Sequence, residues 1–596
     1  MSSYFPLYFV SSSQKAHLNQ LMDSRWSWRI ALASFLVFTI SFPSCSADKA
    51  PQYSFVKPAT VAPLVSYFDY IVVGGGTAGC SLAATLSNGA TVLLLERGGV
   101  PYGNKNVEDI GSFANNLANI SPNSPSQGFV SEDGVLNARA RVLGGGSAIN
   151  AGFYTRAPRD FVTRVGWDYA LVNQSYEWVE RKVAFEPPML QFQTAVKDGL
   201  LQAGIQPYNG FTFDHIRGTK FGGTIFDRNG RRHTAADLLE YADPRRATVY
   251  LYAVAQKILF SNREQGKPRA YGVIFKDSAG IFHKALLRPG ANNEIILSAG
   301  ALGSPQLLML SGIGPAAELS LHGIDLVLDQ PQVGQGMADN PMNILFVPSP
   351  VGVETSLIQA VGITEFDSFI EAASGSNNIR AFMQNLPSAV EMLTSQASQS
   401  SDGPKVITTQ GDLERAIEYM HSLLNGTVHG GVLLEKVAGP KSSGYLHLAT
   451  LDPNDNPSVR FNYFQDPEDL EKCVMGMKTI LQVIESEPFQ QFRVPGMSVQ
   501  SLINIVVNFP LNLRPRHFDT ALSLEQFCID TVLTIWHYHG GCQVNKVVDR
   551  DYKVLGTLSL RVIDGSTFYD SPGTNPQATV MMLGRYMGQR ILTERR

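Results

Sequence analysis

The sequence predicts an α/β chain in which a Rossmann-like dinucleotide-binding domain is joined to a second, α+β domain. Two observations carry this reading. A β-branched and aromatic stretch, Phe68 to Val73, runs into Gly74-Gly75-Gly76-Thr77-Ala78-Gly79, then a small-residue helical stretch to Leu86 and a second strand from Thr91 to Leu95 ending at Glu96. Between about Phe346 and Gln500 the pattern changes: helical periodicity near Ala416–Leu424 and Leu470–Ile484 accompanies strand-like alternation at Tyr445–Thr450. The expected division is a signal peptide at 1–47, a first domain at 66–345, a second domain over most of 346–530 and a final segment at 531–596.

The N-terminus carries Arg25 and Arg29 before an apolar run from Ile30 to Phe42, then Pro43 and the small residues Ser44-Cys45-Ser46-Ala47. This reads as a secretory signal cleaved near Ala47. The run falls short of the ~20 residues that span a bilayer, with an uncleaved anchor as the alternative; no other stretch reaches spanning length. Sequons at Asn119, Asn173 and Asn425 suit secretory entry. Once a signal is removed, Cys80, Cys473, Cys528 and Cys542 remain, too few for a disulfide scaffold but compatible with one bridge.

With 44% hydrophobic and 17% charged residues, the chain is long and apolar enough to bury a large core. Its 52 acidic and 48 basic residues are scattered, giving a net charge of -4 and no basic face for nucleic acid or anionic lipid.

In the strand–turn–helix–strand context, the spacing Gly74-x-Gly76-x-x-Gly79 has a physical meaning. One glycine makes the turn, one admits a pyrophosphate and one lets helix and strand pack closely. The free amides at the helix start then face the phosphates, with Thr77 and Ala78 in that first turn. Glu96 stands near the ~20 residues beyond the turn at which a carboxylate can accept hydrogen bonds from ribose hydroxyls. Cys80, at the helix start, reads as a small buried residue.

Two further segments are rich in glycine. Ala140-Arg141-Val142-Leu143-Gly144-Gly145-Gly146-Ser147-Ala148-Ile149-Asn150 offers unobstructed backbone amides, and Gly300 to Gly314 follows the apolar strand Glu294–Leu297. By spacing alone, each is equally an ordinary tight turn. Ser395–Pro404 reads as a mobile loop, and Ile379–Leu393 as an apolar patch that either packs the second domain or lines a substrate tunnel.

Near the C-terminus, Thr534-Ile535-Trp536-His537-Tyr538-His539-Gly540-Gly541-Cys542 precedes Gly573-Thr574-Asn575-Pro576-Gln577. These segments offer a candidate imidazole and a candidate amide. Imidazole and thiolate are also good zinc ligands, but His537, His539 and Cys542 have no fourth ligand nearby in sequence, so no metal is expected.

Together these segments resemble the glucose-methanol-choline (GMC) oxidoreductase family, which binds FAD and oxidises alcohols. Ala140–Tyr154 matches the family's first signature and Gly300–Gly314 its second; with the glycine turn and the histidine segment they span nearly the whole mature chain. The resemblance implies that Gly74, Gly76, Thr77, Ala78, Gly79, Glu96 and Arg97 hold the pyrophosphate and adenosine half of FAD. Val142, Gly146, Asn150, Ala151, Gly152 and Phe153 would line the flavin end, and Ala255 would meet the adenine. Trp536, His537, Gly565, Pro576 and Gln577 would complete the pocket, so that 531–596 returns to the first domain. Some members tether flavin through a histidine at the place of Ile149, which implies that FAD is non-covalent here. The family often has His at the place of Asn340, in Val333–Pro341; an amide there keeps hydrogen-bonding capacity but does not titrate. Cys473 and Cys528 fall where the cyanohydrin-cleaving members have a disulfide, which implies a bridge, two isolated thiols being the alternative.

Alcohol oxidation requires loss of the hydroxyl proton and transfer of a hydride. A neutral imidazole, with a reference pKa near ~6.5, can take that proton at physiological pH; the resemblance assigns this to His537 and places Asn575 on the same hydroxyl. His539 is then supporting. Plant members most similar to this chain imply long-chain ω-hydroxy fatty acids, oxidised to ω-oxo acids for the cuticle, as substrates; the electron acceptor is not implied. A cyanohydrin lyase is the alternative, but almond-type lyases have a second histidine where this chain has Asn575. A non-catalytic flavoprotein with a developmental role is a third reading, against which the intact His537 and Asn575 count. The expected location is the secretory pathway, in the cell wall, outside the cell or in the ER lumen.

Overall fold

The computed structural model describes residues 51–119, 121–264, 266–375, 429–509, 511–517 and 523–595. The signal segment, the Ala416–Leu424 helix, the Ser395–Pro404 loop, the Ile379–Leu393 patch and the Asn425 sequon lie outside them. Among the described residues, no helix is long and apolar enough to cross a membrane. Asn119 is exposed, whereas Ser175 of the Asn173 sequon is buried in the helix Tyr169–Val183, its hydroxyl donating to the Leu171 carbonyl.

Short apolar runs build a six-stranded, wholly parallel sheet in the order Val56–Pro58, Ala247–Leu251, Val92–Glu96, Tyr70–Val73, Glu294–Leu297, Leu560–Val562. The central strands Tyr-Ile-Val-Val, Val-Leu-Leu-Leu-Glu and Glu-Ile-Ile-Leu are buried throughout, as strands covered on both faces must be. The helix Thr77–Leu86 follows the glycine turn as expected. It packs on the C-terminal helix Gln577–Arg595, where Gly584 lies so close that a Cβ there would stand 2.3 Å from the Ala78 carbonyl oxygen. The Ser81 hydroxyl donates across this contact to Met581 O.

The run from Phe68 to Val73 is not one strand. Val65–Phe68 joins a four-stranded sheet with Phe282–Leu287, Lys267–Lys276 and Val254–Glu264, and Tyr70–Val73 joins the parallel sheet. Asp69 marks the switch, its carboxylate accepting from the Thr91 amide at 2.9 Å and the Thr91 hydroxyl at 2.8 Å. A polar residue with local partners of its own ends one strand and frees the chain to enter another sheet.

A seven-stranded sheet runs Leu533–Thr534, Pro341–Pro348, Gly430–Val437, Ser368–Ser374, Ala360–Ile363, Gly218–Phe221, Tyr208–Phe211. It therefore draws on residues on both sides of position 346, including two strands from before residue 222. Alternate side chains face opposite ways. Leu345, Ile370, Leu433 and Val437 pack against the helices Gln191–Gln202, Pro467–Glu485 and Val499–Val507. Met342, Val361, Phe369 and Leu434 share a second cluster with Phe153, Ile358 and Ile535. The fully buried Lys436 pairs with Glu371 on this second face and sits 4.3 Å from the Phe369 ring centre. The helix predicted over Leu470–Ile484 forms as Pro467–Glu485, capped by Asp466.

Cys473, in that helix, and Cys528, in Leu524–Thr531, form a disulfide with Cα atoms 6.5 Å apart and a sequence separation of 55. A bridge closing a loop of this size restricts the unfolded chain by about 2–4 kcal/mol. Replacing both cysteines by serine is expected to lower the denaturation midpoint by the equivalent of that amount, measured by chemical unfolding under non-reducing conditions.

Candidate functional site

The glycine turn opens into a cavity of about 310 Å³. Gly74, Gly76, Thr77 and Ala78 line it, and the helix Thr77–Leu86 has no side-chain cap, so its first amides are free to meet an anion. Gly79 does not line the cavity. A Cβ there would stand 1.9 Å from the Gly74 carbonyl oxygen, so its role is the close passage of turn and helix. At Gly76, by contrast, the nearest protein atom to such a Cβ is 3.8 Å away. Cys80 is buried and donates its thiol to the Gly75 carbonyl.

Glu96 lines the cavity, but both of its oxygens also hold the turn: Oε2 accepts from the Gly75 amide at 3.0 Å and Oε1 from the Gly98 amide at 2.7 Å. Burial pushes its carboxyl up, and the amides and the neighbouring Arg97 charge pull it back. Arg97 is fixed by donating to Gln127 Oε1 and to the Ala140 carbonyl. Arg139, which no sequence motif singles out, lines the same region. It is buried and donates to Gln127 and to the Asn454 and Asp455 carbonyls.

The second glycine run is both a turn and a wall. Gly144 donates to the Gly75 carbonyl at 2.7 Å, which locks the two glycine segments together. Val142, Gly146, Asn150, Ala151, Gly152 and Phe153 line the cavity. Asn150 donates to Gln577 Oε1 at 2.9 Å, and Gln577 donates to the Phe153 carbonyl at 2.6 Å. The third segment forms the helix Gly300–Leu310, whose first turn also reaches the cavity. Asp564, likewise unforeseen, anchors that turn: Oδ2 accepts from the Gly300 amide and the Ser304 hydroxyl, and Oδ1 from the Ser566 amide. Ala255, Trp536, Gly565, Pro576 and Gln577 are brought to the same cavity.

His537 and Asn575 both line this cavity, and each is 8% exposed. His537 Nδ1, Asn575 Oδ1 and Trp536 Nε1 have no hydrogen-bond partner in the protein, and buried polar atoms are rarely left so. Burial, with smaller contributions from the Lys436 and His539 charges, holds the His537 imidazole well below the ordinary histidine range, which keeps the ring neutral. His539 does not line the cavity; its Nδ1 lies 3.1 Å from the His537 carbonyl oxygen and braces the loop. Among the described residues, no group of three or more His, Cys, Asp or Glu side chains is arranged to hold a metal ion. Asn340 is buried away from the cavity, donating to the Val437 carbonyl and accepting from the Ser571 hydroxyl.

A parallel sheet with a glycine turn aimed into a cavity, which a neutral histidine and an amide also line, defines a Rossmann-type oxidoreductase. The chain belongs to the GMC oxidoreductase family, whose N-terminal and C-terminal models match residues 68–342 and 440–584. It is 52% identical over 534 residues to Protein HOTHEAD of Arabidopsis thaliana, covering 89% of each chain. It is 48% identical over 547 residues to an (R)-mandelonitrile lyase-like protein of the same plant, covering 91% of this chain and 92% of the relative. Among solved structures, an Aspergillus oryzae formate oxidase superposes with a TM-score of 0.66 at 18% identity, over 89% of this chain and 98% of the other.

Glu96→Gln removes one of two acceptors from buried amides of the turn. The expected loss is about 1–3 kcal/mol of stability, read as a lowered unfolding midpoint of the purified protein.

Proposed function

We propose that this chain binds FAD non-covalently and oxidises long-chain ω-hydroxy fatty acids to ω-oxo acids, in the secretory pathway or outside the cell. The observation that carries this reading is the meeting of His537 and Asn575 with the glycine turn at one cavity.

The residues present fit FAD. The uncapped helix start and the open space at Gly76 suit a pyrophosphate, Glu96 and Arg97 suit the adenosine half, and Asn150 to Phe153 with Trp536 and Gln577 suit the flavin end. Ile149 has no nucleophilic atom for a covalent link. Bound there, FAD supplies the acceptor for the hydride of the alcohol carbon. His537 takes the hydroxyl proton onto its neutral imidazole as the carbonyl forms, a contribution of roughly 10²- to 10⁴-fold for a well-placed base. Asn575 binds the same oxygen and orients the carbon while leaving the proton to His537. The aliphatic wall of Ile358 and Ile535 beside Phe153 suits an alkyl chain. The Cys473–Cys528 bridge suits an oxidising compartment.

The similarity to a lyase-like relative favours cyanohydrin cleavage as the second reading. Asn575 weighs against it, because an amide does not accept a proton as a second imidazole would.

Anaerobic addition of a long ω-hydroxy acid is expected to bleach the oxidised flavin absorbance. His537→Ala should slow bleaching by about 10²-fold or more when the rate is read per bound flavin. Persistent yellow colour across a panel of alcohols, with cyanide released from mandelonitrile, would replace this reading by the lyase.

A further inference from the structure

Two adjacent side chains that do not line the cavity reach both loops that carry the reaction. Asp339 and Asn340 lie between the strands Gln335–Met337 and Pro341–Pro348, and both are buried. Asp339 Oδ1 accepts from the His537 amide at 2.9 Å. Its Oδ2 accepts from the Thr534 hydroxyl and the Tyr463 hydroxyl, each at 2.6 Å. Thr534 Oγ1 in turn accepts from the Trp536 amide at 2.7 Å. Trp536 has a φ of 59°, a left-handed conformation that a tryptophan keeps only when its surroundings enforce it. One carboxylate therefore determines the backbone path into His537.

Asn340 acts on the other loop. Its Oδ1 accepts from the Ser571 hydroxyl at 3.1 Å, and Ser571 Oγ accepts from the Gly573 amide at 3.1 Å, two residues before Asn575. Its Nδ2 donates to the Val437 carbonyl at 2.7 Å, which ties the dipeptide to the seven-stranded sheet. Two hydrogen-bond paths, joined by the peptide bond between Asp339 and Asn340, thus reach the His537 amide on one side and the Gly573 amide of the Ser571–Asn575 loop on the other.

We propose that Asp339–Asn340 is a positioning dipeptide that sets the separation between the His537 imidazole and the Asn575 amide. The proposal rests on the reading of those two residues as the reacting pair. Reaction geometry tolerates errors of only about 0.5 Å, and a displacement of about 1 Å from a remote change can cost around 10²-fold in rate. Two of the three hydrogen bonds that Asp339 accepts come from the segment Thr534–His537, and the third comes from Tyr463.

The test uses the flavin-loaded enzyme with Asp339→Asn, Ser571→Ala and Ser571→Thr. Flavin content and unfolding midpoint are measured first, then anaerobic flavin reduction across alcohol concentrations, then hydrogen exchange of the peptides covering 534–541 and 571–577. Ser571→Ala is expected to keep its flavin and to lose about tenfold in the limiting reduction rate, with the half-saturating alcohol concentration changed less than about twofold. Ser571→Thr, which keeps the hydroxyl, should restore most of the rate. Asp339→Asn should speed exchange in 534–541, and Ser571→Ala in 571–577. Wild-type rates in both Asp339→Asn and Ser571→Ala, or losses that only follow flavin content and midpoint, would overturn the proposal. If the wild type reduces no flavin with any alcohol, the oxidoreductase reading itself fails, and the exchange data alone then decide whether the dipeptide holds both loops.

Discussion

Backbone amides in loops around a buried site need acceptors, and the cavity of this protein depends on three carboxylates that supply them. Glu96 holds the amides of Gly75 and Gly98, Asp564 those of Gly300 and Ser566, and Asp339 that of His537. Each accepts from backbone amides, helped by hydroxyls at the two aspartates. Burial pushes Asp339 up to about 6 even with its hydrogen bonds in place, a net penalty of roughly 3 kcal/mol for the charged form. Orphaned amides would cost about 1–3 kcal/mol each and would let the loops drift. The balance explains why charge is placed where an apolar side chain would otherwise pack.

These carboxylates make three joins between stretches of chain around the cavity. Glu96 ties the end of a central strand to the first glycine turn, and the Gly144 amide fastens the second glycine run to that same turn. Asp564 fastens the C-terminal return to the helix Gly300–Leu310, and Asp339 fastens the start of the strand Pro341–Pro348 to the histidine loop. The parallel sheet thus supplies the floor of the cavity, and the second sheet contributes an apolar face to the neighbourhood of His537.

Much of this was legible in the sequence, for physical reasons that differ by element. Strands buried on both faces leave unbroken apolar runs, so Glu294–Leu297 is found with its bounds as read. Glycines forced by close approach leave a spacing, which located the turn and the cavity lining. The seven-stranded sheet was obscured because Lys220, Glu371 and Lys436 interrupt its apolar alternation, although all three are fully buried. Asp339, Asp564 and Arg139 were missed because an acidic or basic residue in a loop or short strand reads as solvated until its partners, far away in sequence, are known. The single strand read over Phe68–Val73 failed at Asp69, whose bonds to Thr91 move the chain between sheets.

In the proposed reaction His537 accepts the hydroxyl proton while the alcohol carbon loses a hydride. The most direct measurement is therefore the anaerobic rate of flavin reduction by an ω-hydroxy acid carrying deuterium at the hydroxyl-bearing carbon. Reduction several-fold slower than with the unlabelled acid is expected, with the effect retained in His537→Ala at a much lower rate. Equal rates with both acids in the wild type under single-turnover conditions, or no reduction with either, would contradict it.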